Sequence, residues 1–167
     1  MRYVVVPITV DHVEAFHASL DSVARERVHL AMLEAPPLEE TRAFINGNVE
    51  SRNPQFVALA EGRLVGWCDI IPYKRPTLSH AGELGMGVLR EFRGHGIGRA
   101  LAKTTIEAAW SFGLLRVSLA VREGNGPAIA LYEELGFRRE GPLAKGVHCD
   151  GRFEDIHLMG LLKEPAI

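Results

Sequence analysis

Apolar and polar residues follow two different periods along the chain, and together these predict seven strands and four helices. Alternating or β-branched runs predict strands at residues 2–8, 56–60, 64–71, 82–89, 116–121, 137–140 and 155–162. Apolar residues at helical spacing predict helices after an N-cap at Asp11, over 38–49 with Phe44, Ile45 and Val49 in the stripe, over 97–112, and after an N-cap at Asn125.

The order of these elements predicts the fold class. It reads β-α-α-β-β-β-α-β-α-β-β, which is typical of an α/β sandwich with a mixed sheet. A length of 167 residues suits one domain, and no linker, repeat or low-complexity tract divides the chain. We therefore expect a single domain over residues 1–167.

The strand over 82–89 is unusual because one of its faces carries little side-chain volume. Leu84, Met86 and Val88 fall on one face, whereas Glu83 and two glycines, Gly85 and Gly87, fall on the other. Glycine weakens a strand interior, so its presence predicts that something lies close against the backbone on that face.

The next segment predicts an anion site. It begins the helix over 97–112 and consists of Arg93, Gly94, His95, Gly96, Ile97, Gly98 and Arg99. Glycines at a strand-to-helix turn let backbone N–H groups approach a phosphate, the helix dipole favours the anion, and arginine offers forked donors. From these residues alone, a tight turn with solvated arginines stays open. A Walker A run is absent, and the dinucleotide pattern would need glycine where Arg99 stands.

Composition narrows the class of partner. A net charge of −2 provides no general attraction to nucleic acid or to an anionic membrane. Cys68 and Cys149 form neither a disulfide framework nor a metal-ligand pattern, so no metal is expected. No apolar segment suits a signal peptide or a membrane span, which predicts a soluble, cytoplasmic protein.

Two motifs resemble those of one family, the GCN5-related N-acetyltransferases (GNAT). The first is R-x-x-G-x-G, carried by Arg93, Gly96 and Gly98. The second is N-x-x-A-x-x-L-Y-x-x-x-G-F, carried by Asn125, Ala128, Leu131, Tyr132, Gly136 and Phe137. The similarity is greatest to bacterial small-molecule members that act on amino acids or related amines, and it implies a GNAT-like sandwich with a bulged central strand.

The resemblance also implies roles for particular residues. Acetyl-CoA would be the co-substrate, bound by the 93–99 segment, by Asn125, and by backbone groups of Met86 and Val88 along the pantetheine arm. An amine would attack the thioester directly, without an acyl-enzyme, while a backbone N–H of the central strand steadied the oxyanion. Tyr132 would protonate the departing thiolate. Glu83 is the first candidate for the base, with Asp69 on the neighbouring strand as its competitor.

The acceptor amine is expected between residues 33–38 and the closing loop at 148–153. Four acidic residues in this region favour a cationic small molecule: Glu34, Asp150, Glu154 and Asp155. His148 and Cys149 lie in the loop without suitable partners, so they are interpreted as bystanders.

Other functions stay open at this point. A protein N-terminal acetyltransferase would share both motifs, and a non-catalytic acyl-CoA sensor would retain the 93–99 segment without turnover. A nucleotide-dependent oxidoreductase is disfavoured by the incomplete glycine pattern. A homodimer is compatible with the sequence.

Overall fold

The structure, a computed structural model, describes residues 1–165 and contains within them one seven-stranded sheet and four α-helices. Residues 166 and 167, the last two of the predicted domain, lie outside the described residues. The strands are β1 (Val4–Pro7), β2 (Gln55–Ala60), β3 (Arg63–Pro72), β4 (Ala81–Val88), β5 (Arg116–Arg122), β6 (Arg138–Cys149) and β7 (Arg152–Leu162). The helices are α1 (Val13–Arg25), α2 (Leu38–Ser51), α3 (Ile97–Phe112) and α4 (Gly126–Glu134).

The predicted element order and the mixed sheet are confirmed. The strands lie in the order β1-β2-β3-β4-β5-β7-β6. All neighbours are antiparallel except β4 and β5, which are parallel. Among the described residues, no helix has the combined length and apolar character that a membrane span would require.

The parallel pair is short, and this creates a cleft between β4 and β5. Only Ala81–Glu83 of β4 pair with Arg116–Ser118 of β5. Beyond Glu83 the two strands separate, although each keeps its antiparallel partner on the outer side, β3 for β4 and β7 for β5. The predicted bulge in β4 is not found in its pairing with β3, whose register runs without a shift from Gly82 to Val88. Register shifts occur instead between β2 and β3, where β3 has one extra residue, Val65, opposite the step from Ala58 to Leu59, and between β6 and β7.

Several element ends differ from prediction. The first helix is preceded by a 3₁₀ turn at Val10–His12, where the Thr9 N–H donates to Nδ1 of His12, so the cap is not at Asp11. Helix α2 buries Thr41, Ile45 and Asn48, while the predicted stripe members Phe44 and Val49 are exposed.

The last hairpin differs more. Strand β6 continues through the predicted loop to Cys149, and a tight turn at Asp150 and Gly151, both with positive φ, leads into β7. The stretch from Gly146 to Gly151 is predicted as a loop. In the structure Gly146 lies within β6, and the side chain of Ile156 on β7 fills the space beside it.

The two faces of the sheet carry separate cores. On one face, α3 and α4 cover a cluster that includes Cys68, Leu84, Leu101, Val117 and Tyr132. On the other face, α1 and α2 cover a second cluster. Its members include Phe16, Ile45, Val57 and Trp67, with the rings of Phe16 and Trp67 edge to face at 5.5 Å.

The glycine face of β4 belongs to this second side, and it is filled by the protein itself. The register sets Gly87 opposite Trp67 and Gly85 opposite Asp69. A Cβ at Gly87 would lie 2.3 Å from Cη2 of Trp67. These glycines therefore admit side chains of β3, so the close approach predicted for this face is made by the protein itself and not by a ligand.

Gly87→Ala should therefore destabilise the protein. The added methyl group must displace the Trp67 ring in a packed core, which typically lowers the free energy of unfolding by about 1–3 kcal/mol. Urea unfolding of the variant and the wild type measures the change.

Gly47→Ala in α2 is the matched control. Nothing lies within 4 Å of the position its Cβ would take. Alanine favours helix by about 1 kcal/mol over glycine, so this variant should be as stable as the wild type or more stable. Equal stability of the Gly87 and Gly47 variants would contradict the packing described for Trp67.

Candidate active site

The cleft between β4 and β5 has a volume of about 580 Å³. The cleft is lined by Leu84–Val88 of β4, by Ala120 and Val121 of β5, and by the turn and first residues of α3. The turn before α4 and one side of that helix, Val23 of α1, and the loop that joins α1 to α2 complete the lining. Of the residues predicted to bind acetyl-CoA, all but His95 line this cleft, and so does Tyr132. His95 instead turns its Nδ1 toward the carbonyl of Arg93, at 2.9 Å.

Residues 93–99, called the cradle below, open α3 at one end of the cleft. Gly94 and Gly96 have left-handed φ values of 76° and 80°, a conformation that favours glycine. Gly94 has no atom within 4 Å of the Cβ position, and Gly96 has only the Tyr3 hydroxyl at 3.8 Å. The first N–H groups of a helix have no intrahelical acceptor, so the start of α3 offers donors beside open space.

The backbone of β4 is also available to a ligand. The Leu89 N–H donates to the Val65 carbonyl on the β3 side. Because hydrogen-bonding direction alternates along an antiparallel strand, the backbone groups of Met86 and Val88 point toward the cleft. The carbonyl of Val88 accepts a bond from Nε of Arg93 at 2.9 Å. The Val88 N–H and both groups of Met86 therefore face the gap between the strands.

Arg93 differs from its sequence-based expectation, because its guanidinium is engaged within the protein. Its terminal nitrogens donate to both carboxylate oxygens of Glu26, at 2.7 and 2.8 Å. The hydrogen bond with Arg93 is the main reason that the pKa of Glu26 is lowered. The side chain thus joins the cradle to the loop after α1, and the backbone of the cradle carries the open donors. Arg99 is likewise ion-paired, with Glu134 of α4.

Three lining residues of the α1–α2 loop, His29, Leu30 and Ala31, were not identified from the sequence. His29 lies 3.2 Å from Arg93 and its pKa is lowered, first by burial and then by that guanidinium, against the opposing charge of Glu26. The loop carries no local motif. Only the fold brings it to the cleft, so no sequence signal could have found these residues.

Asn125 and Tyr132 lie on the other wall. Oδ1 of Asn125 accepts from the Ala128 N–H at 3.4 Å, which confirms its predicted role as a helix cap. The Tyr132 side chain is 7% exposed and packs edge to face on Phe137. Burial, and next Cys68, raise the pKa of the Tyr132 hydroxyl above its ordinary value. The phenol therefore keeps its proton at neutral pH.

The two candidate bases lie on the face of the sheet that α1 and α2 cover. Glu83 is exposed, whereas Asp69 is only 8% exposed. Burial, with a smaller contribution from Glu83, raises the pKa of Asp69 to about 7. Neither carboxylate lines the cleft directly, but a Cβ at Gly85, which does line it, would lie 3.3 Å from Oδ1 of Asp69.

The acidic region expected near the closing loop is largely neutralised. Glu34, Asp150 and Glu154 are ion-paired with Arg25, Arg27 and Arg122, respectively. Asp155 accepts a bond from the Lys145 N–H. Each carboxylate is already compensated within the protein, so these residues supply less negative charge to an acceptor than the sequence suggested.

His148 and Cys149 have structural contacts. The imidazole of His148 stacks on the Phe153 ring at 4.4 Å. Sγ of Cys149 donates to the Arg27 carbonyl at 3.7 Å.

A model of the acetyltransferase (GNAT) family matches residues 20–137, well over half of the 167-residue chain. The chain therefore belongs to the GNAT family and is an acetyltransferase, as the two motifs predicted.

Two characterised relatives illustrate the range of the family. The chain is 32% identical over 110 residues to the L-amino acid N-acetyltransferase AaaT of Escherichia coli (strain K12), covering 65% of this chain and 68% of that protein. It is 36% identical over 115 residues to an N-alpha-acetyltransferase of Sulfurisphaera tokodaii, covering 62% of this chain and 66% of that protein. The matched region thus spans about two thirds of each relative.

Solved structures agree with the fold over almost the whole chain. A GNAT-family acetyltransferase from Streptococcus pneumoniae superposes with a TM-score of 0.91 at 26% identity, covering 97% of this chain and 100% of that one. The yncA protein of Salmonella typhimurium, solved with its cofactor acetyl-CoA, superposes with a TM-score of 0.92 at 17% identity, covering 100% and 98%. The second likeness concerns the fold alone.

Arg93→Ala should destabilise the protein and weaken coenzyme A binding together. The substitution leaves the Glu26 carboxylate, 19% exposed, without its bidentate partner. Leaving a partly buried charged group without its partner typically lowers the free energy of unfolding by about 1–3 kcal/mol. The α1–α2 loop loses its attachment to the cradle, and we expect the affinity for coenzyme A to fall about tenfold. Urea unfolding and calorimetric titration with coenzyme A measure the two effects.

Arg139→Ala is the matched control because it removes an ion pair whose side chains are 50% and 47% exposed. Exposed pairs contribute about 0–1 kcal/mol, so both measurements should stay near wild type. If Arg93→Ala behaved like this control, the ion pair with Glu26 would have no structural role.

Proposed function

We propose that this acetyltransferase transfers the acetyl group of acetyl-CoA directly to the amine of a small molecule, such as an amino acid. One observation carries the proposal. The left-handed glycines of the cradle, the open backbone of β4 and Tyr132 all line one cleft.

The residues of this cleft fit acetyl-CoA. The start of α3 and the glycines of the cradle suit a pyrophosphate, since backbone N–H groups face space that a Cβ would fill. The backbone groups of Met86 and Val88 suit the amide groups of an extended pantetheine arm, as a further strand would. When bound, acetyl-CoA supplies an activated thioester that an amine can attack without an acyl-enzyme.

Asp69 is the better supported of the two candidate bases, with Glu83 as its neighbour. An ammonium group has no free electron pair, so a base must hold the proton that the amine loses. A carboxylate with a pKa near 7 combines an ionised fraction at neutral pH with real proton affinity. Oδ1 of Asp69 would lie 3.3 Å from a Cβ at Gly85, so the carboxylate lies beside the part of the β4 backbone that borders the cleft.

Two further groups would stabilise the negative charge that develops during the reaction, one on the leaving sulfur and one on the thioester oxygen. Tyr132 holds its proton firmly because of its burial, and it can donate that proton as negative charge develops on the leaving sulfur. A backbone N–H of β4 that faces the cleft would donate to the developing oxyanion.

The acceptor class is supported by two observations. AaaT is an L-amino acid N-acetyltransferase. In this chain, Asp69 and Glu83 lie on cross-strand neighbours of one sheet face, where they would attract a cationic amine. The likeness to an N-alpha-acetyltransferase keeps protein N-termini as a second candidate.

A thiol-release assay with acetyl-CoA tests the proposal against free amino acids, polyamines and short peptides with free N-termini. Turnover with amino acids or polyamines is the expected result. Turnover with peptides alone would favour the second candidate. Coenzyme A binding without turnover on any amine would indicate a sensor.

Asp69→Asn should remove the rise of kcat/KM with pH on the acidic side of its pH profile. If Asp69 is the base, kcat/KM rises with pH through about 7 in the wild type, as the carboxylate becomes ionised. Asparagine cannot accept the proton, and loss of a general base typically costs about 10²–10⁴ in rate. Glu83→Gln serves as the comparison, measured over the same pH range. If the Glu83 variant lost this rise and the Asp69 variant kept it, the assignments would be reversed.

The same variant has a signature in stability. The pKa of Asp69 is raised in the folded state from an ordinary value of 3.8 to about 7. Between these pH values the native state binds more protons than the unfolded state, so the free energy of unfolding falls as pH rises. Asp69→Asn should reduce this fall, which urea unfolding at pH 5 and pH 8 would detect without any substrate.

Tyr132→Phe should lower turnover by about 10²–10⁴ while coenzyme A binding stays near wild type. The substitution keeps the ring and its contact with Phe137 but removes the donor. Phe137→Leu is the control, since it changes the packing of the ring and leaves the hydroxyl in place. Near-normal turnover in Tyr132→Phe would make Tyr132 a packing residue.

A further inference from the structure

A partly buried ion pair joins the two sides of the candidate site. Arg122, at the end of β5, is buried, and its Nε donates to Oε2 of Glu154 on β7 at 2.8 Å. The other oxygen of Glu154 accepts from the Gly124 N–H, also at 2.8 Å. Gly124 lies in the turn that leads to Asn125, and both residues line the cleft.

A terminal nitrogen of the Arg122 guanidinium reaches the α1–α2 loop. Its Nη1 donates to the carbonyl of Arg27 at 2.8 Å. Arg27 has a left-handed φ of 60°, which is uncommon for a residue with a side chain and requires external support. Sγ of Cys149 bonds weakly to the same carbonyl, and the Arg27 side chain pairs with Asp150. Two residues further along this loop, His29 is the first loop residue that lines the cleft.

We propose that Arg122 and Glu154 are positioning residues that couple the acetyl-CoA cleft to the acceptor side. Glu154 holds the turn before α4, and Arg122 holds the α1–α2 loop in its left-handed conformation. Neither Arg122 nor Glu154 is among the residues that line the cleft. Ordering of the Gly124 turn by a bound ligand therefore also orders the loop expected to face the acceptor. The identity of both ligands rests on the proposed function, whereas the coupling itself does not depend on turnover.

The first test measures amide hydrogen exchange in the full chain with and without coenzyme A. In the wild type, coenzyme A should slow exchange in residues 26–36 as well as in the cradle. In Arg122→Lys the charge stays, but lysine lacks the planar fork that reaches Glu154 and Arg27 together. We expect exchange in 26–36 to become faster and to respond less to coenzyme A.

Arg116→Lys is the matched control. Arg116 lies on the same strand and pairs with Glu140, with no contact to the α1–α2 loop among the hydrogen bonds of residues 1–165. Its exchange pattern should match that of the wild type. If coenzyme A left residues 26–36 of the wild type unaffected, or if both lysine variants behaved alike, the coupling would be overturned.

The second test separates positioning from a purely structural role. With an acceptor identified, Arg122→Lys should raise the acceptor KM about tenfold and leave kcat within about twofold, since one charged hydrogen bond to the loop is lost. A fall in kcat with unchanged KM would overturn the proposal. If Arg122→Lys proved unfolded by circular dichroism, Glu154→Gln, which retains an acceptor for the Gly124 N–H, would carry both measurements.

These outcomes are distinct from failure of the proposed function. If the wild type acetylated no amine, the exchange experiment would still decide whether the ion pair couples the two loops. If amines were acetylated and exchange showed no coupling, only the positioning roles of Arg122 and Glu154 would be withdrawn.

Discussion

The separation of β4 from β5 is the constraint on which the rest of the site depends. Parallel pairing stops at Glu83, yet each strand stays bonded along its outer edge to β3 or β7. The sheet therefore remains intact while a row of backbone groups on β4 is left to another partner. Buried backbone donors and acceptors must be satisfied, so the gap favours a ligand that can bond as a strand does. Because α3 and α4 both begin beside this gap, residues at the start of both helices line the same cleft.

Charge in the site is arranged mainly by internal pairing. Arg93, Arg99 and Arg122 each lie near the cleft, and each is ion-paired with a carboxylate of another segment. Their shared effect is to tie loops and helices together around a cleft whose open donors belong to the backbone. Such donors are held by the fold and need little reorganisation when an anion binds. The anion site that we propose at the cradle depends on these backbone donors and does not require a positive net charge, which in this chain is −2.

Asp69 is the exception to this pairing. It is buried, it is raised in pKa mainly by that burial, and among residues 1–165 no salt bridge compensates it. A group of this kind lowers stability at neutral pH, and titratable groups so perturbed cluster at functional sites. The glycines of β4 that lie opposite Asp69 and Trp67 are explained by the same close packing. Gly85 and Gly87 give up side-chain packing of their own so that Asp69 and Trp67 can lie against β4.

The sequence by itself determined the order of the elements, the family and the lining of the cleft on the cradle and α4 sides. These features depend on local signals, namely the periodicity of apolar residues, the glycines before α3 and the motif from Asn125 to Phe137. Only the tertiary structure decided which charged side chains are already paired within the protein and which are not. Arg93 looks like a phosphate ligand in sequence, and only the approach of Glu26, 67 residues away, shows that its donors are used. The α1–α2 loop, the neutralised carboxylates near β7 and the raised pKa of Asp69 likewise arise from contacts between distant segments. A local sequence pattern shows which conformation a residue favours and which chemistry its side chain allows. Whether that side chain is buried or ion-paired depends on residues that are distant in the sequence and become neighbours only in the folded chain.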